Sequence, residues 1–246
     1  MIIYGLIGYP LSHSGSGSWF AEKLRIEGRS GYRYLNFPLP SLDKFPALLL
    51  KHPDLKGLNV TIPYKEQIIP WLEELDAKAE KIGAVNTIRI CREKGTIHLK
   101  GFNTDADGFL RSADFSKHRK ALILGSGGAA KAVAYALAEL GISYFFITRS
   151  KKSADHILYT ELTADIISSH TLIVNATPLG MFPSVETFPA IPYHFLSENH
   201  FLYDLVYNPG MTIFLKKGSA AGAMVQNGLR MLGIQAELSY RIWNEL

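Results

Sequence analysis

The chain carries the sequence ALILGSGGAA at residues 121–130. Its leading apolar residues predict a buried strand, and the alanine-rich sequence after them predicts a helix. Gly125, Gly127 and Ala130 lie between these elements with the spacing G-x-G-x-x-A. The first glycine permits a tight turn, the second lets the backbone approach a pyrophosphate, and the alanine lets the helix pack closely on its strand. The stretch therefore predicts a dinucleotide-binding loop, in preference to a purely structural turn.

The end of the next predicted strand bears on the choice of dinucleotide. Thr148, Arg149 and Ser150 stand where an NAD-binding protein usually has Asp or Glu for the ribose 2′-hydroxyl. A guanidinium at this position suits a 2′-phosphate, through its charge and its planar hydrogen bonding. The sequence therefore favours NADP over NAD, and a solvated basic turn is the alternative.

Apolar runs rich in β-forming residues alternate with helical periodicity, which predicts an α/β protein. We expect two domains: an N-terminal α/β substrate domain with a mostly parallel sheet, and a C-terminal Rossmann-type nucleotide domain. The expected bounds are 1–104 with the final helix of about 227–246 for the first domain, and 105–226 for the second. In the first domain the pattern predicts strands at 2–8, 32–38, 56–61, 85–91 and 96–102, and helices at about 14–27, 42–51 and 65–81. The last two strands flank the turn 93–95 and are expected to form an antiparallel hairpin at a sheet edge.

Composition excludes several classes of protein. The 246 residues are 47% hydrophobic and 20% charged, which is typical of a globular protein and excludes disorder. The single cysteine, Cys91, excludes a disulfide framework and a multi-cysteine metal site. The net charge of +4 comes from scattered basic residues, which argues against nucleic acid as a partner. We find no apolar run long enough to span a membrane and no signal-peptide pattern, so we expect a cytoplasmic protein.

Polar clusters follow the predicted strands of the first half of the chain. They are SHSGS at 12–16, NVTIPYK at 59–65, GAVNT at 83–87 and GFNTD at 101–105. Strand carboxyl ends line one crevice of an open α/β sheet, so these clusters are expected to converge around a small polyhydroxylated acid. Taken singly, each cluster has a plainer interpretation as helix caps, turn residues or a solvated lysine.

Together these segments resemble the shikimate dehydrogenases. The resemblance includes GYPLSHSGS at 8–16, NATPLGM at 175–181, DLVYNP at 204–209 and the region from Gly228 to Trp243. The matches run in the same order along nearly the whole chain. The resemblance implies an oxidoreductase that reversibly reduces 3-dehydroshikimate to shikimate with NADP, in the chorismate route to aromatic amino acids.

The resemblance also implies residue roles. Lys65 and Asp105 would be the catalytic pair. Ser14 and Ser16 would hold the substrate carboxylate, and the complete substrate set would be Ser14, Ser16, Thr61, Asn86, Tyr207 and Gln235. The cofactor set would be Gly125, Ser126, Gly127, Gly128, Ala129, Thr148, Arg149, Ser150, Leu205 and Gly228. The implied partner is a small-molecule substrate, with no nucleic acid and no membrane, for a monomer or homodimer.

The residue types suit this chemistry. Hydride arriving at a carbonyl carbon leaves a developing alkoxide, which needs a positioned positive charge and a proton. Lys65 can supply both, and its neutral form would accept the hydroxyl proton in the oxidation direction. Asp105 would orient the ammonium group and hold its charge. The reaction requires no metal, and the histidines show no ligand spacing.

The chain departs from the family pattern at several positions. Gly17 replaces a proline, and Trp19-Phe20 replaces His-Asn, near the carboxylate end of the site. Ser153 replaces a basic residue, for which Lys151 or Lys152 could substitute. The segment 150–175 is short, so we expect the nucleotide domain to lack a strand or helix there. The alternatives are a quinate/shikimate dehydrogenase of broader specificity and a catalytically silent, ligand-binding regulator on the same fold.

Overall fold

Two six-stranded sheets organise the chain, one in each of two units. The computed structural model describes residues 1–11, 15–151 and 153–245. The first unit comprises Met1–Asp105 and Gly233–Leu246, and the second comprises Ala106–Leu232. The chain thus enters the first unit again at Gly233 rather than at 227, because the first turn of the final helix makes its contacts within the second unit.

The first unit contains a mixed sheet. Its strands and helices are β1 (Ile2–Gly8), α1 (Ser16–Ile26), β2 (Tyr32–Pro38), α2 (Phe45–Lys51), β3 (Leu55–Val60), β4 (Glu74–Leu75), α3 (Ala77–Ile82), β5 (Thr87–Glu93) and β6 (Thr96–Phe102). The strand order is β2-β1-β3-β5-β6-β4. β1 pairs in parallel with β2 and β3, whereas β5 pairs antiparallel with β3 and β6. The parallel half of the sheet places the ends of β1 and β3 at one edge.

Two expectations for this unit are wrong. The apolar spacing at 65–81 predicts one helix, but the structure has a short 3-10 turn at Ile69–Trp71, then β4, then α3. Pro70 lacks the backbone N–H that a continuous helix needs. Asp76 instead starts a new helix, because its Oδ1 accepts from Ala79 N at 2.8 Å. The β5–β6 hairpin forms, but it does not lie at the sheet edge, because β4 pairs with β6.

The last helix completes the core of the first unit. This helix, α8 (Leu229–Asn244), carries Trp243 in its last turn, where the ring is 7% exposed and stacks on Tyr4 with ring centroids 4.6 Å apart. Trp243 Nε1 donates to Ile88 O at 3.0 Å. A Cβ at Gly57 would lie 2.3 Å from the Trp243 ring, so the strand needs glycine there to admit the indole. The C-terminal part of α8 is therefore fixed against β3 and β5.

The second unit contains an all-parallel sheet. Its remaining elements are α4 (Asp105–Leu110), β7 (Lys120–Leu124), α5 (Gly128–Glu139), β8 (Ser143–Thr148), β9 (His156–Leu158), α6 (Ala164–Ser169), β10 (Leu172–Asn175), β11 (Phe201–Asp204), α7 (Ile213–Ala220) and β12 (Met224–Gln226). The strand order β9-β8-β7-β10-β11-β12 is the doubly wound Rossmann order. The predicted α/β class with a Rossmann-type second domain is confirmed. The order reverses between β7 and β10, where such sheets bind ligands.

The connection between β8 and β9 is unusually short. None of the described residues in 149–155 is helical, although doubly wound folds place a helix in such a crossover. That a strand or helix is lost between residues 150 and 175 stays a prediction. In the part of the chain that the structure describes, no helix combines the length and the apolar character that crossing a bilayer requires.

Candidate active site

A buried ion pair joins Lys65 and Asp105. Lys65 lies in the turn after β3, and Asp105 begins α4. Their side chains are 16% and 7% exposed, and Lys65 Nζ lies 2.6 Å from Asp105 Oδ2. Backbone bonds fix both ends: Val85 N donates to Lys65 O at 2.7 Å, and Asp105 N donates to Asn103 Oδ1 at 3.0 Å. A pair this buried needs further hydrogen bonds to offset its desolvation.

Asn86 supplies the next of these hydrogen bonds. It is 2% exposed, and its Nδ2 donates to Asp105 Oδ1 at 2.9 Å. The same Nδ2 lies 2.8 Å from Thr104 Oγ1 and 3.4 Å from Gln235 Oε1. Gln235 lies on α8, so the end of the chain reaches the pair. Hydrogen bonds thus unite Lys65, Asp105, Asn86 and Gln235, which the sequence places far apart.

Of the remaining substrate candidates, Ser16 and Thr61 lie in the same unit as the ion pair. Ser16 is buried and begins α1, directly after β1. Thr61 follows β3, and its N donates to Ile7 O at 2.9 Å, so it lies at the same sheet edge. Ser14 lies outside the described residues. Tyr207 is half-buried in the second unit, in the loop after β11.

The glycine loop of the second unit has room for a phosphate. Gly125 has φ of +99°, a conformation that favours glycine, and its N donates to Ile147 O at 2.9 Å. α5 begins at Gly128 with Gly127 as its N-cap, and a Cβ built on Gly127 would meet nothing within 4 Å. The first turn of this twelve-residue helix presents unpaired N–H groups and the positive end of its dipole. The residues present, with Ser126 and Ala129 on either side of the cap, fit a dinucleotide pyrophosphate.

The turn after β8 carries the candidate for the 2′-phosphate. Thr148 Oγ1 donates to Ser150 O at 2.9 Å and closes the turn, which leaves Arg149 exposed. Lys151 Nζ is paired with Glu161 Oε1 at 2.6 Å, and Lys152 lies outside the described residues. Ser153, where the family has a basic residue, donates to Asp155. The prediction that the site prefers NADP therefore depends on Arg149.

Two loops of the second unit meet at Gly228. A Cβ on this glycine would lie 2.2 Å from Leu205 O, so only glycine fits. Its N donates to Val206 O at 3.2 Å, and Leu205 N donates to Asn175 O at 2.9 Å. The predicted cofactor residues Leu205 and Gly228 are thus brought into contact.

Asp204 anchors the same loops, and the sequence assigned it no role. It is fully buried and accepts from Thr212 Oγ1 at 2.6 Å, Asn175 Nδ2 at 2.9 Å and Val206 N at 3.0 Å. Burial raises the pKa of this carboxyl to about 6, although its donors pull in the other direction. The motif DLVYNP contains this residue, but nothing in its local pattern marks Asp204 as buried.

A group of four buried polar residues lies next to Asn86, and Ser239 is the member that the sequence-predicted polar clusters did not include. Its members are Asn59, Thr87, Thr104 and Ser239. Ser239 lies one helical turn after Gln235 on α8, so helical spacing could have indicated it. Among the described residues, no three His, Cys, Asp or Glu side chains are grouped to hold a metal ion.

Comparisons with known proteins agree on one family. Residues 6–88 match the family model of the shikimate dehydrogenase substrate binding domain. Shikimate dehydrogenase (NADP(+)) from Carboxydothermus hydrogenoformans is 38% identical over 259 residues, covering 97% of this chain and 90% of the relative. The crystal structure of shikimate dehydrogenase 1 from Peptoclostridium difficile is 36% identical with a TM-score of 0.87, covering 100% of this chain and 92% of the other. Quinate dehydrogenase from Corynebacterium glutamicum, solved in complex with NAD, is 29% identical with a TM-score of 0.84, covering 100% and 94%.

Proposed function

Since the chain belongs to the shikimate dehydrogenase family, we propose that it reversibly reduces 3-dehydroshikimate to shikimate with NADP, using Lys65 as acid and base and Asp105 as its partner. The observation that carries this proposal is the buried pair itself, with Lys65 Nζ 2.6 Å from Asp105 Oδ2 and Asn86 on the second carboxylate oxygen. The reaction belongs to the chorismate route to aromatic amino acids.

Lys65 performs the proton transfer. NADPH, when bound, supplies the hydride to the carbonyl carbon. As negative charge develops on the carbonyl oxygen, the Lys65 ammonium stabilises it and donates a proton, which produces the hydroxyl and leaves the amine neutral. In the oxidation direction the neutral amine accepts the hydroxyl proton, and Lys65 regains its charge.

Asp105 keeps Lys65 ready for this task. Its Oδ2 accepts from Nζ and fixes the direction of the ammonium group, while Asn86 holds Oδ1. The carboxylate also supplies the negative charge opposite the ammonium group in a largely buried site. A substrate oxygen beside Nζ would therefore meet a proton donor that is already oriented.

The substrate and cofactor residues follow from the same proposal. Ser16, at the start of α1, and Ser14 would hold the substrate carboxylate, and Thr61, Asn86, Tyr207 and Gln235 would bind its other polar groups. In the second unit, the loop from Gly125 to Ala129 would hold the pyrophosphate, and Thr148–Ser150 the 2′-phosphate. Leu205 and Gly228 would complete the cofactor site. The open space at the Gly127 cap supports this assignment.

The test is a rate measurement with purified protein. Shikimate and quinate are each combined with NADP and with NAD, and the appearance of reduced nicotinamide is followed by absorbance. We expect turnover with shikimate and NADP. Comparable rates with quinate or NAD would instead support the broader-specificity alternative, for which the quinate dehydrogenase likeness is the relevant observation.

Lys65→Ala tests the catalytic assignment directly. We expect its turnover to fall by about 10²–10⁴-fold while shikimate still binds, because the acid/base group is lost. Lys81→Ala, which removes an exposed lysine on α3, is the matched control and should keep wild-type rates. Turnover retained by Lys65→Ala would exclude Lys65 as the acid/base. A wild-type protein that binds NADPH but turns over none of these pairs would support the silent regulator.

Two further expectations from the sequence stay predictions. They are a cytoplasmic location and a monomeric or homodimeric state. Size-exclusion chromatography with light scattering distinguishes a monomer from a homodimer. A larger species would contradict the predicted oligomeric state.

A further inference from the structure

Behind the proposed catalytic pair lies a buried polar cluster with no role in the proton transfer described above. It consists of three hydroxyl groups and one amide, those of Thr87, Thr104, Ser239 and Asn59, and none of these residues is more than 5% exposed. Buried hydroxyl groups are costly unless their hydrogen bonds are made, and a fully connected cluster gives each group one defined orientation. The defined orientation of these groups bears on the residue that they contact, Asn86.

The cluster borders the amide of Asn86 at both of its atoms, because Thr104 Oγ1 lies 2.8 Å from the Nδ2 that faces Asp105, and Thr87 contacts the amide oxygen. Asn86 Oδ1 accepts from Thr104 N at 2.8 Å and from Thr87 Oγ1 at 3.0 Å. Its Nδ2 therefore faces Asp105 Oδ1 at 2.9 Å as a donor. If the amide were rotated by half a turn, its carbonyl oxygen would face the carboxylate oxygen, and its NH₂ group would face an N–H. The donors behind Asn86 thus select the orientation that supports Asp105.

Thr87 depends in turn on Ser239. A hydroxyl group has a single proton, and Thr87 uses its proton toward Asn86. Ser239 Oγ lies 2.7 Å from Thr87 Oγ1 and 2.9 Å from Gln235 O, so when Thr87 donates to Asn86, Ser239 shares its single proton between Thr87 and the carbonyl oxygen of its own helix. Asn59 Nδ2 donates to Ser239 Oγ at 2.9 Å, and Tyr34 holds the other end of Asn59 by donating to its Oδ1 at 2.9 Å. One directed series of hydrogen bonds therefore runs from Tyr34 to Asp105.

We propose that Thr87 and Ser239 are positioning residues for the reaction: they hold the Asn86 amide in the orientation that fixes Asp105, and through it Lys65. This inference rests on the proposed function of the Lys65–Asp105 pair. α8 thus serves the site twice, with Gln235 toward the substrate side and Ser239 one turn later toward the supporting cluster.

Thr87→Val and Thr87→Ser test the proposal as a pair. Valine keeps the shape of threonine but cannot donate, whereas serine keeps the hydroxyl group. We expect Thr87→Val to lower kcat by about tenfold, the loss of one buried hydrogen bond, with the KM for NADP unchanged. Thr87→Ser should restore kcat to within about twofold of wild type. Equal kcat in the valine and serine variants would overturn the proposal.

A second measurement separates positioning from a structural role. In the Asp105→Asn background, Thr87→Val should add no further loss of kcat, because Thr87 acts on the proton transfer through that carboxylate, whereas any effect of Asn86 on substrate binding appears in the KM for shikimate. A merely structural role predicts that the two losses multiply. If Asp105→Asn itself keeps wild-type turnover, the proposed catalytic pair fails. If it loses turnover while Thr87→Val does not, only the positioning inference fails.

Ser239→Ala provides the decision if Thr87→Val does not fold. We expect a loss of kcat of about three- to tenfold, again absent in the Asp105→Asn background. Ser112→Ala is the matched control, because Ser112 is equally buried and bonds Phe109 O and Tyr203 in the second unit. Thermal unfolding of both variants should show similar losses of stability. A kcat that falls as much in Ser112→Ala as in Ser239→Ala would contradict the proposal.

Discussion

The candidate sites of the two units differ in the groups that form them: side chains in the first unit and backbone in the second. In the first unit, charged and amide side chains are buried against one another, as in the Lys65–Asp105 pair held by Asn86. In the second, the key positions lack side chains: Gly125 adopts a left-handed φ, and Gly228 lies against Leu205 O. Chemistry needs functional groups in a fixed orientation, whereas holding a phosphate needs backbone N–H groups and space. Substitutions in the two units should therefore fail in different ways.

The largest effect is expected in the first unit, from Asp105→Asn. The variant keeps the size of the side chain but removes the charge opposite Lys65, so we expect kcat to fall by about 10²–10⁴-fold. The new amide oxygen can accept from only one of the two donors, Lys65 Nζ or Asn86 Nδ2, and the buried lysine loses its counter-charge, so we also expect a lower melting temperature and measure kcat at a temperature where the variant is folded. Asp107→Asn, on the same helix and near Arg111, is the control. A catalytic rate within about twofold of wild type would show that Asp105 is not needed for the chemistry.

In the second unit, Gly228→Ala should act on the fold as well as on binding. The new Cβ would lie 2.2 Å from a backbone oxygen, which cannot move as a flexible side chain does. We expect a loss of about 1–3 kcal/mol in the free energy of unfolding and weaker NADPH binding, measured by denaturation and by fluorescence titration. Gly127→Ala, with open space at its Cβ, should weaken binding at unchanged stability. Equal stability of the two variants would remove the contrast between the positions.

Arg149→Ala should change cofactor preference without affecting either fold or chemistry. The side chain is exposed, so its removal leaves no cavity. If it binds the 2′-phosphate, the KM for NADP should rise by about 10–100-fold, while the KM for NAD stays the same. Arg119→Ala removes another exposed arginine of the second unit and serves as the control. A parallel rise of both KM values would show that Arg149 does not read the phosphate.

The smallest effect concerns acid stability of the second unit. Burial lowers the pKa of His118 and of His170 below the ordinary value of 6.5. The unfolded chain therefore binds more protons than the folded one. The contribution of the two histidines to the free energy of unfolding is full above about pH 6.5 and is lost as the pH falls below it. In the double variant His118→Asn/His170→Asn, the melting temperature should fall less steeply than in wild type as the pH is lowered from about 7 to 5. The difference between the two proteins isolates the histidines from Asp204, whose raised pKa acts in the opposite direction. If the melting temperatures of the two proteins fell in parallel, the histidines would not be the source of the acid sensitivity.

The sequence correctly predicted those elements whose boundaries are set by neighbouring residues. β1 and β2 begin and end at the predicted residues, because their apolar runs are bounded by turns. The glycine loop was recognisable because phosphate binding needs glycines at fixed spacing between a strand and a helix. The predicted helix at 65–81 failed because Pro70 and the cap at Asp76 outweighed an apolar stripe. The short strand β4 has only two residues, too few to show any periodicity.

The supporting part of the site was not predictable in the same way. Thr87 belongs to the polar cluster at 83–87, but Ser239 is 152 residues away and stands in no unusual local pattern. Their importance comes from a contact that exists only after α8 has packed on the sheet. The resemblance to a family indicated Lys65 and Asp105, but the roles of residues that touch no substrate depend on three-dimensional hydrogen bonding.

The placement of the last helix has a consequence for synthesis on the ribosome. The first unit needs the residues from Gly233 onward, including Trp243 against Tyr4 and Ser239 against Thr87. At translation rates of about 5–20 residues per second, its first 105 residues are made about 7–28 s before residue 246. The second unit is made within that interval and is complete in sequence at Leu232, while the first unit still exposes the surface that α8 will cover. The part of the protein that is made first is therefore the last to be finished, and a nascent chain stalled before Gly233 would lack its proposed catalytic support.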